Sequence, residues 1–402
     1  MVIRSLAQDI EAAEVRYAER EEARNETLRK LRTGGILAAD TPERVEKRLA
    51  RLGADVAQAE SFARGGVQGN GAVPDTAVTI EQGEIDVVAL ERLLGANNLI
   101  NAAFLEAGAQ AARAVGRIVI GSEHGGVAGY GTGSLVGPRL LLTNNHVLTD
   151  RGTAALSQVE FGYQLGLDGT PSALTSFGLD SDAFFLTDRE LDYSLVAVKA
   201  RGSAGAELDR IAWNRLIETE GKAILGELLN IVQHPNGEPK QLAMRENRLV
   251  DLLENFLHYE TDTSPGSSGS PVFNDQWEIV GLHHSGVPRK DKSGRILAVG
   301  GKPWTQNMGE HRVDWIANEG VRISRIIKHI KRKRLGRAQS RLRARLFDEA
   351  PPPRSGREAV EVVSEPTPPT ATPNGDTVVM TIPLQVTVQI GTPSPNGSGE
   401  QH

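Results

Sequence analysis

The sequence has 402 residues, of which 39% are hydrophobic and 24% are charged. That length and apolar share are sufficient for two or three domains with a core, and they exclude a wholly disordered chain. The 45 basic and 51 acidic residues give a net charge of −6, which argues against a dedicated nucleic-acid-binding protein. Because the chain has no cysteine, it cannot form disulfides, a thiol nucleophile, an iron–sulfur cluster or a zinc–thiolate site.

The N-terminal segment MVIRSLAQDIEAAEVRYAER carries acidic residues where a signal peptide requires an apolar core. No stretch approaches the ~18–20 apolar residues that a membrane helix needs. We therefore expect a cytoplasmic protein that does not associate with membranes.

Residues 1–110 are expected to be helical. Apolar residues recur at helical spacing over 3–17 and again over 45–59, and the Gly34-Gly35 pair separates the two stripes. A further helical stretch is predicted over 86–115. We interpret residues 1–110 as a regulatory or docking region, through which a protein partner could control the rest of the chain.

Residues 111–330 change to short β-type runs, such as RLLLTNN, YSLVAVKA, SPVF and EIVGLHH, separated by Gly, Pro, Asn and Asp. Many short strands with turns between them predict a β-barrel or sandwich rather than alternating strands and helices. A helix is expected at the end of this region, over 321–330.

Residues 331–402 combine a basic segment, a Pro-rich linker and a β-prone tail. Residues 322–345 hold eleven Lys or Arg and no acid, but isoleucines at helical spacing favour a helix packed on the barrel over a nucleic-acid site. The segment PTPPTATP indicates an extended, mobile linker, and TVVMTIPLQVTVQIG, residues 377–391, alternates like a strand.

The segment TDTSPGSSGSPVF, residues 261–273, has the features of a nucleophile turn. Acyl transfer by serine needs an exposed hydroxyl on a tight turn, with backbone N–H groups directed at the developing oxyanion. Glycines on both sides of Ser267-Ser268 permit such a turn and let a substrate approach the backbone. Taken alone, the same composition is more typical of an ordinary loop.

Two other segments supply a possible base and its partner. LLLTNNHVL places His146 after an apolar strand, and histidine can accept and return a proton near neutral pH. ELDYSLVAV places Asp192 directly before an alternating strand, where a buried carboxylate could orient the imidazole. Each residue alone is more often structural, but the order His146, Asp192, Ser268 is that of the two-barrel serine endopeptidases.

TNNHVL, LDYSLVAV and GSSGSPVF resemble the chymotrypsin-fold, trypsin-like serine peptidases, in particular bacterial intracellular peptidase domains related to the glutamyl endopeptidases. The resemblance covers about residues 111–330. It implies a mainly β fold of two six-stranded antiparallel barrels, with a helical N-terminal extension, a C-terminal helix and a mobile tail.

The resemblance also implies the site residues. Ser268 would be the nucleophile, His146 the general base and Asp192 its orienting acid, with the backbone N–H groups of Gly266 and Ser268 as the oxyanion hole. Secreted relatives carry an acid immediately before the nucleophile, which pairs with a newly cut N-terminus. Ser267 stands there in this chain, so activation by that route is not expected.

The implied specificity pocket gives conflicting indications. Asp262, six residues before Ser268, matches the acid with which trypsin binds Lys or Arg, and the ungapped register favours this interpretation. Thr263 and His283 instead match the pocket of the glutamyl endopeptidases, which binds an acidic side chain. Both preferences stay open. His284 and Ser285-Gly286 would continue the edge strand that pairs with the substrate backbone as an added β-strand.

No cofactor is expected, and the remaining histidines show no metal-ligand spacing, so no metal site is predicted. The sequence therefore predicts a serine endopeptidase acting on proteins or peptides. The alternative is a catalytically silent, protease-like interaction protein. An esterase with a nucleophile elbow is disfavoured, because its serine would precede the acid and the histidine in the chain.

Overall fold

The structure, a computed structural model, describes residues 2–51, 101–244, 247–260, 267–309 and 312–351, and these fall within one compact unit. The Pro-rich linker, the β-prone segment 377–391 and residues 86–100 of the helical stretch predicted over 86–115 lie outside the described residues. Short strands rich in apolar residues form two halves, a closed β-barrel and a seven-stranded sheet. Helices from both ends of the described chain pack against these halves.

The first half is a closed antiparallel barrel with the strand order β1-β2-β3-β6-β5-β4. Its core is built from strand residues that are almost fully buried, such as Ile118, Leu141, Phe177 and Val196. Leu141 of β3 lies opposite Val196 of β6, which sets the register beside the site. The strands are β1 (Val115–Gly121), β2 (Val127–Leu135), β3 (Leu140–Thr143), β4 (Gln158–Phe161), β5 (Thr175–Asp188) and β6 (Tyr193–Val198).

The second half is a seven-stranded antiparallel sheet with the order β8-β7-β11-β12-β13-β10-β9. The predicted mainly β fold is confirmed, and in this half the segment before β7 is joined to β9, because Gly226 N donates to Leu249 O and Leu229 N donates to Asn247 O, both at 2.8 Å. Its end strands β8 and β9 form no ladder with each other, and Leu242 of β8 is 53% exposed. The strands are β7 (Asn230–Gln233), β8 (Gln241–Ala243), β9 (Leu249–Leu252), β10 (Phe256–Tyr259), β11 (Pro271–Phe273), β12 (Ile279–Pro288) and β13 (Trp315–Arg322).

Three helices precede the barrels in the described N-terminal residues: α1 (Val2–Glu19), α2 (Glu21–Ala39) and α3 (Pro42–Arg51). The helical conformation is interrupted at Arg20, between α1 and α2. Helix α2 then kinks at Gly35, whose φ of +66° lies in the region that glycine adopts without strain. The glycine pair Gly34-Gly35 was expected to end the first helix. In the structure, α1 ends before Arg20, and α2 continues past the glycine pair through the kink. Ala13 of α1 is buried against Val287 of β12 and Ala317 of β13.

Four further helices lie in the described remainder of the chain: α4 (Ala103–Arg113), α5 (Arg151–Ala155), α6 (Ile323–Arg332) and α7 (Arg337–Asp348). The predicted C-terminal helix is α6, whose isoleucines are fully buried in a core that also contains Leu140 and Phe273. Of all the helices in the described ranges, none has the length and apolar content required to span a bilayer.

Candidate active site

The turn that follows β3 anchors His146 to the segment that carries Asp192. Asn144 Nδ2 donates a hydrogen bond to the backbone oxygen of Asp192 at 2.9 Å. Asn145 Nδ2 donates to Thr187 Oγ1 at 2.7 Å, on the strand that precedes the Asp192 loop. Both amides of the TNNH motif therefore hold the histidine and the aspartate in a fixed relation.

His146 and Asp192 form a buried pair, and their exposed fractions are 4% and 3%. His146 Nδ1 lies 2.8 Å from Asp192 Oδ2, and the backbone N–H of His146 donates to Asp192 Oδ1 at 3.0 Å. Burial opposes ionisation of Asp192, but His146 and His284 outweigh it and hold the pKa of this carboxyl well below its usual range. An ionised carboxylate can only accept hydrogen bonds, so Nδ1 carries a proton and Nε2 is the basic nitrogen of His146.

The nucleophile turn of the second half is fixed against the first barrel. Thr132 N of β2 donates to Ser268 O at 2.9 Å, and Gly269 N donates to His283 O at 3.0 Å. Gly269 has a φ of +85°, and a Cβ there would lie 2.2 Å from Thr132 O and 2.3 Å from Thr143 Oγ1. Only glycine fits, and this close contact brings Ser268 to the strand that leads to His146.

The Ser268 hydroxyl forms no hydrogen bond with the basic nitrogen. His146 Nε2 is buried and has no hydrogen-bond partner among the described residues, whereas its Nδ1 is fully engaged. The structure thus contains a formed His–Asp pair whose second ring nitrogen makes no hydrogen bond to Ser268. Catalytic hydrogen bonds are often long in free enzymes and tighten when substrate binds.

The predicted pocket residues are described only in part. Asp262, Thr263 and Gly266 lie outside the described residues. His283 is buried, and its Nδ1 lies 2.7 Å from Tyr259 Oη. Burial, reinforced by the neighbouring imidazoles of His284 and His146, lowers the pKa of His283 to about 3, so the ring is neutral near pH 7.

The predicted substrate-pairing residues Ser285 and Gly286 belong to β12 and lie opposite Glu319 and Asn318 of β13. A Cβ at Gly286 would lie 2.5 Å from the Trp315 ring, so a side chain on this position has no room. The structure therefore places both residues on the strand that continues from His283 past the histidine–aspartate pair.

A second imidazole contacts Asp192, and the sequence did not predict this contact. His284 Nδ1 lies 3.2 Å from Asp192 Oδ2, and His284 Nε2 lies 2.7 Å from Glu319 Oε1. In the sequence, the adjacent histidines 283 and 284 were the signal that could have pointed to the contact between His284 and Asp192. Nothing local in the sequence marks Glu319, because it lies in a strand far along the chain.

The N-terminal helix α1 lies at the same site. Asp9 Oδ2 lies 4.0 Å from His146 Nδ1, and burial together with Asp192 raises the pKa of Asp9. Ligand atoms of Asp9, His146 and Asp192 lie within 4.8 Å of one another, which could accommodate a cation, although Nδ1 of His146 already binds Asp192. Arg16 Nε donates to Glu319 Oε2 at 2.9 Å, and its guanidinium lies 3.9 Å from the centre of the Phe256 ring.

Comparisons with known proteins relate part of this chain to trypsin-like peptidases. The family profile described as the trypsin-like peptidase domain matches residues 131–282. An uncharacterised protein of Sinorhizobium fredii, y4fB, is 37% identical over 271 residues, which cover 62% of this chain and 40% of that protein. Exfoliative toxin A of Staphylococcus aureus is 27% identical over 168 residues, covering 41% of this chain and 59% of the toxin.

A glutamyl endopeptidase of Staphylococcus aureus is 23% identical over 164 residues, covering 40% of this chain and 47% of the relative. The solved structure of a Glu endopeptidase in complex with MPD aligns with a TM-score of 0.36 and 16% identity, over 55% of this chain and 91% of that one. The chain thus spans 40% to 59% of the length of the three sequence relatives.

The family profile and the two β halves identify the class: this chain contains a chymotrypsin-fold serine peptidase domain. Within that class, residues 131–282 match the trypsin-like peptidase domain, and the sequence relatives include a staphylococcal glutamyl endopeptidase and exfoliative toxin A.

Proposed function

We propose that the chain is a serine endopeptidase that hydrolyses proteins through His146, Asp192 and Ser268. The buried His146–Asp192 pair supports this most directly, because it fixes the imidazole tautomer with the proton on Nδ1 and the lone pair on Nε2. A neutral imidazole held in this way is the general base that a serine hydroxyl requires.

In the proposed reaction, Ser268 Oγ attacks the scissile carbonyl carbon while its proton passes to His146 Nε2. The carbonyl oxygen becomes an oxyanion that the backbone N–H groups of Gly266 and Ser268 stabilise, each typically contributing about 10²–10³ in rate. His146 then gives its proton to the leaving amine, which leaves an acyl-enzyme on Ser268. Water, deprotonated by Nε2, hydrolyses the ester and restores the hydroxyl.

The alternative is a catalytically silent interaction protein with a peptidase fold. One observation favours it: Nε2 of His146 has no hydrogen-bond partner among the described residues, so the nucleophile is not yet activated. The two proposals differ in whether Ser268 reacts with an electrophile.

Covalent labelling by a fluorophosphonate distinguishes them. We expect label on Ser268 of the full chain and loss of both labelling and casein hydrolysis in Ser268→Ala and His146→Ala. The matched control is Ser270→Ala, because the Ser270 hydroxyl is buried two residues away and makes no hydrogen bond to any residue in the described ranges. An unlabelled wild-type protein, or a Ser268→Ala variant that keeps its activity, would refute the assignment.

We also propose that the N-terminal helices regulate the peptidase, directly or through a protein partner. Helix α1 packs on β12, the strand that carries His283 to Gly286, and it brings Asp9 to His146. A glutamate at the buried Ala13 should displace α1, whereas a glutamate at Val15, which is 52% exposed, should not. We expect faster labelling of Ala13→Glu than of Val15→Glu. Equal or slower labelling of a folded Ala13→Glu protein contradicts the proposed restraint.

For the substrate, we propose a protein or peptide with a basic residue at the cleavage site. Asp262 supports this preference by its sequence position, and His283, neutral near pH 7, provides no positive charge for an acidic side chain. The name of the staphylococcal glutamyl endopeptidase instead favours an acidic residue at the cleavage site. A cysteine-free chain is compatible with a reducing cytoplasm, which we propose as its compartment.

A further inference from the structure

We infer that His284 and Glu319 are positioning residues of this catalytic site, which hold Asp192 through a second, positively charged imidazole. The inference rests on the proposed peptidase function and adds two residues to it. The contacts form one buried chain, from His146 through Asp192 and His284 to Glu319.

The contacts of His284 define its protonation. Its Nδ1 lies 3.2 Å from one oxygen of Asp192, and its Nε2 lies 2.7 Å from one oxygen of Glu319. Both carboxyls have pKa values held well below the usual range, so both are acceptors only. Each ring nitrogen of His284 must then carry a proton, which makes the ring an imidazolium.

The surroundings of His284 favour that charge. Burial opposes it, but the hydrogen bonds and charges of Asp192 and Glu319 outweigh burial and raise the pKa of His284 to about 9. The ring also stacks on Phe256, with 5.5 Å between the ring centres.

Glu319 in turn is held as a carboxylate by groups from two other elements. Its side chain is fully buried, and it accepts hydrogen bonds from Arg16 Nε of α1 and from His258 Nε2 of β10, both at 2.9 Å. The titratable groups near His284, taken from every element around it, are Asp192, His146, His283, Glu319, Arg16 and Asp9. Beyond Glu319, His258 approaches Asp251 of β9 at 3.9 Å.

The imidazolium has two effects on the base. It gives Asp192 Oδ2 a second donor besides His146, which fixes the rotation of the carboxylate. It also opposes protonation of His146, because the two rings share one oxygen and their Nδ1 atoms are at most about 6 Å apart.

The test is the pH dependence of kcat/KM in His284→Asn. The asparagine amide can still donate to Asp192, but it carries no charge. We expect the midpoint of the acidic limb to move up by about 1–2 pH units, the size expected for one charge at about 6 Å in an effective dielectric of about 20. At a pH below both midpoints, this shift lowers kcat/KM by about 10- to 100-fold.

The matched control is His329→Asn, which removes an imidazole 3.0 Å from another carboxylate, that of Asp188. His329 makes no contact with Asp192 among the described interactions, so the acidic limb should stay where it is in the wild type. Superimposable profiles of wild type and His284→Asn would overturn the inference, as would an equal shift in the control.

Selective ¹⁵N labelling of the nine histidines tests the charge without any variant. We expect one imidazole with both nitrogens protonated at pH 7.5 that loses a proton near pH 9. If no histidine is doubly protonated at pH 7.5, the inference fails even where the wild type is labelled and active. A wild type that the fluorophosphonate does not label would instead overturn the peptidase assignment, while the histidine spectrum still reports on His284.

Discussion

Arg48 of helix α3 forms an ion pair with Glu227, and both side chains are at most 2% exposed. Arg48 Nη1 also donates to Lys222 O at 2.6 Å, so one guanidinium ties the N-terminal helices to the segment that precedes β7. Replacing it by methionine keeps most of the side-chain volume and removes the charge. The Glu227 carboxylate then keeps one described hydrogen bond, which it accepts from Ile224 N at 3.4 Å.

Breaking a buried ion pair on one side costs about 3–5 kcal/mol of unfolding free energy, because the remaining charge has no compensation. That is a large share of the roughly 5–15 kcal/mol by which proteins are stable. Burial already raises the pKa of Glu227 to about 7 beside Arg48, and loss of the guanidinium raises it further. The carboxyl then takes up a proton more readily in the folded than in the unfolded chain, so the destabilisation should be larger at pH 8 than at pH 6.

Urea unfolding followed by tryptophan fluorescence measures the effect. With a slope of about 3 kcal/mol per molar urea, the midpoint of Arg48→Met should fall by about 1 M or more. The control is Lys47→Met on the adjacent residue, whose ion pair with Glu220 is more than half exposed and contributes about 0–1 kcal/mol. Replacing Glu227 by glutamine in the Arg48→Met protein should recover part of the loss. An Arg48→Met midpoint equal to that of Lys47→Met would refute the reasoning.

Three further outcomes are expected. Gly269→Ala should abolish fluorophosphonate labelling because a Cβ has no space there, whereas Gly294→Ala, at a similar φ of +79° with no atom within 4 Å, should retain it; equal labelling would contradict the fit. The raised pKa of His284 stabilises the fold fully below about pH 6.5, and this contribution is lost as the pH rises through about 9. The melting temperature should therefore fall over that pH range, and it should fall less in His284→Asn. If Asp262 sets the specificity, the protein should cut a peptide library after Lys or Arg. Cleavage only after Glu or Asp would contradict this preference and favour a pocket formed with His283.

The fold class, the C-terminal helix and the histidine–aspartate pair were all accessible from the sequence. Each depends on a local signal: alternating apolar strands, isoleucines at helical spacing, and polar residues at strand ends. The kink at Gly35 fits the glycine pair, but the break at Arg20 carries no such signal. The backbone hydrogen bonds between the segment before β7 and the start of β9 were not predicted, because no single strand encodes which distant segment it meets.

The rest of the site arises from contacts between distant segments. Glu319 meets Arg16 across 303 residues, and Asp9 reaches His146 only because α1 packs on β12. A buried glutamate in a strand is visible in the sequence as one charge in an apolar run, which does not identify its partners. The pocket residues Asp262 and Thr263 and the oxyanion residue Gly266, which lie outside the described residues, stay predictions.

The hydrogen bond from Thr132 to Ser268 joins the two β halves directly beneath the reacting atoms. The proposed nucleophile belongs to one half and the proposed base to the other, so separation of the two halves would break this bond and move Ser268 away from His146. For the proposed peptidase, we therefore expect access for a polypeptide to change through movement of surface segments and not through separation of the halves. Helix α1, whose Asp9 lies 4.0 Å from the base, is the described element best placed to make that movement.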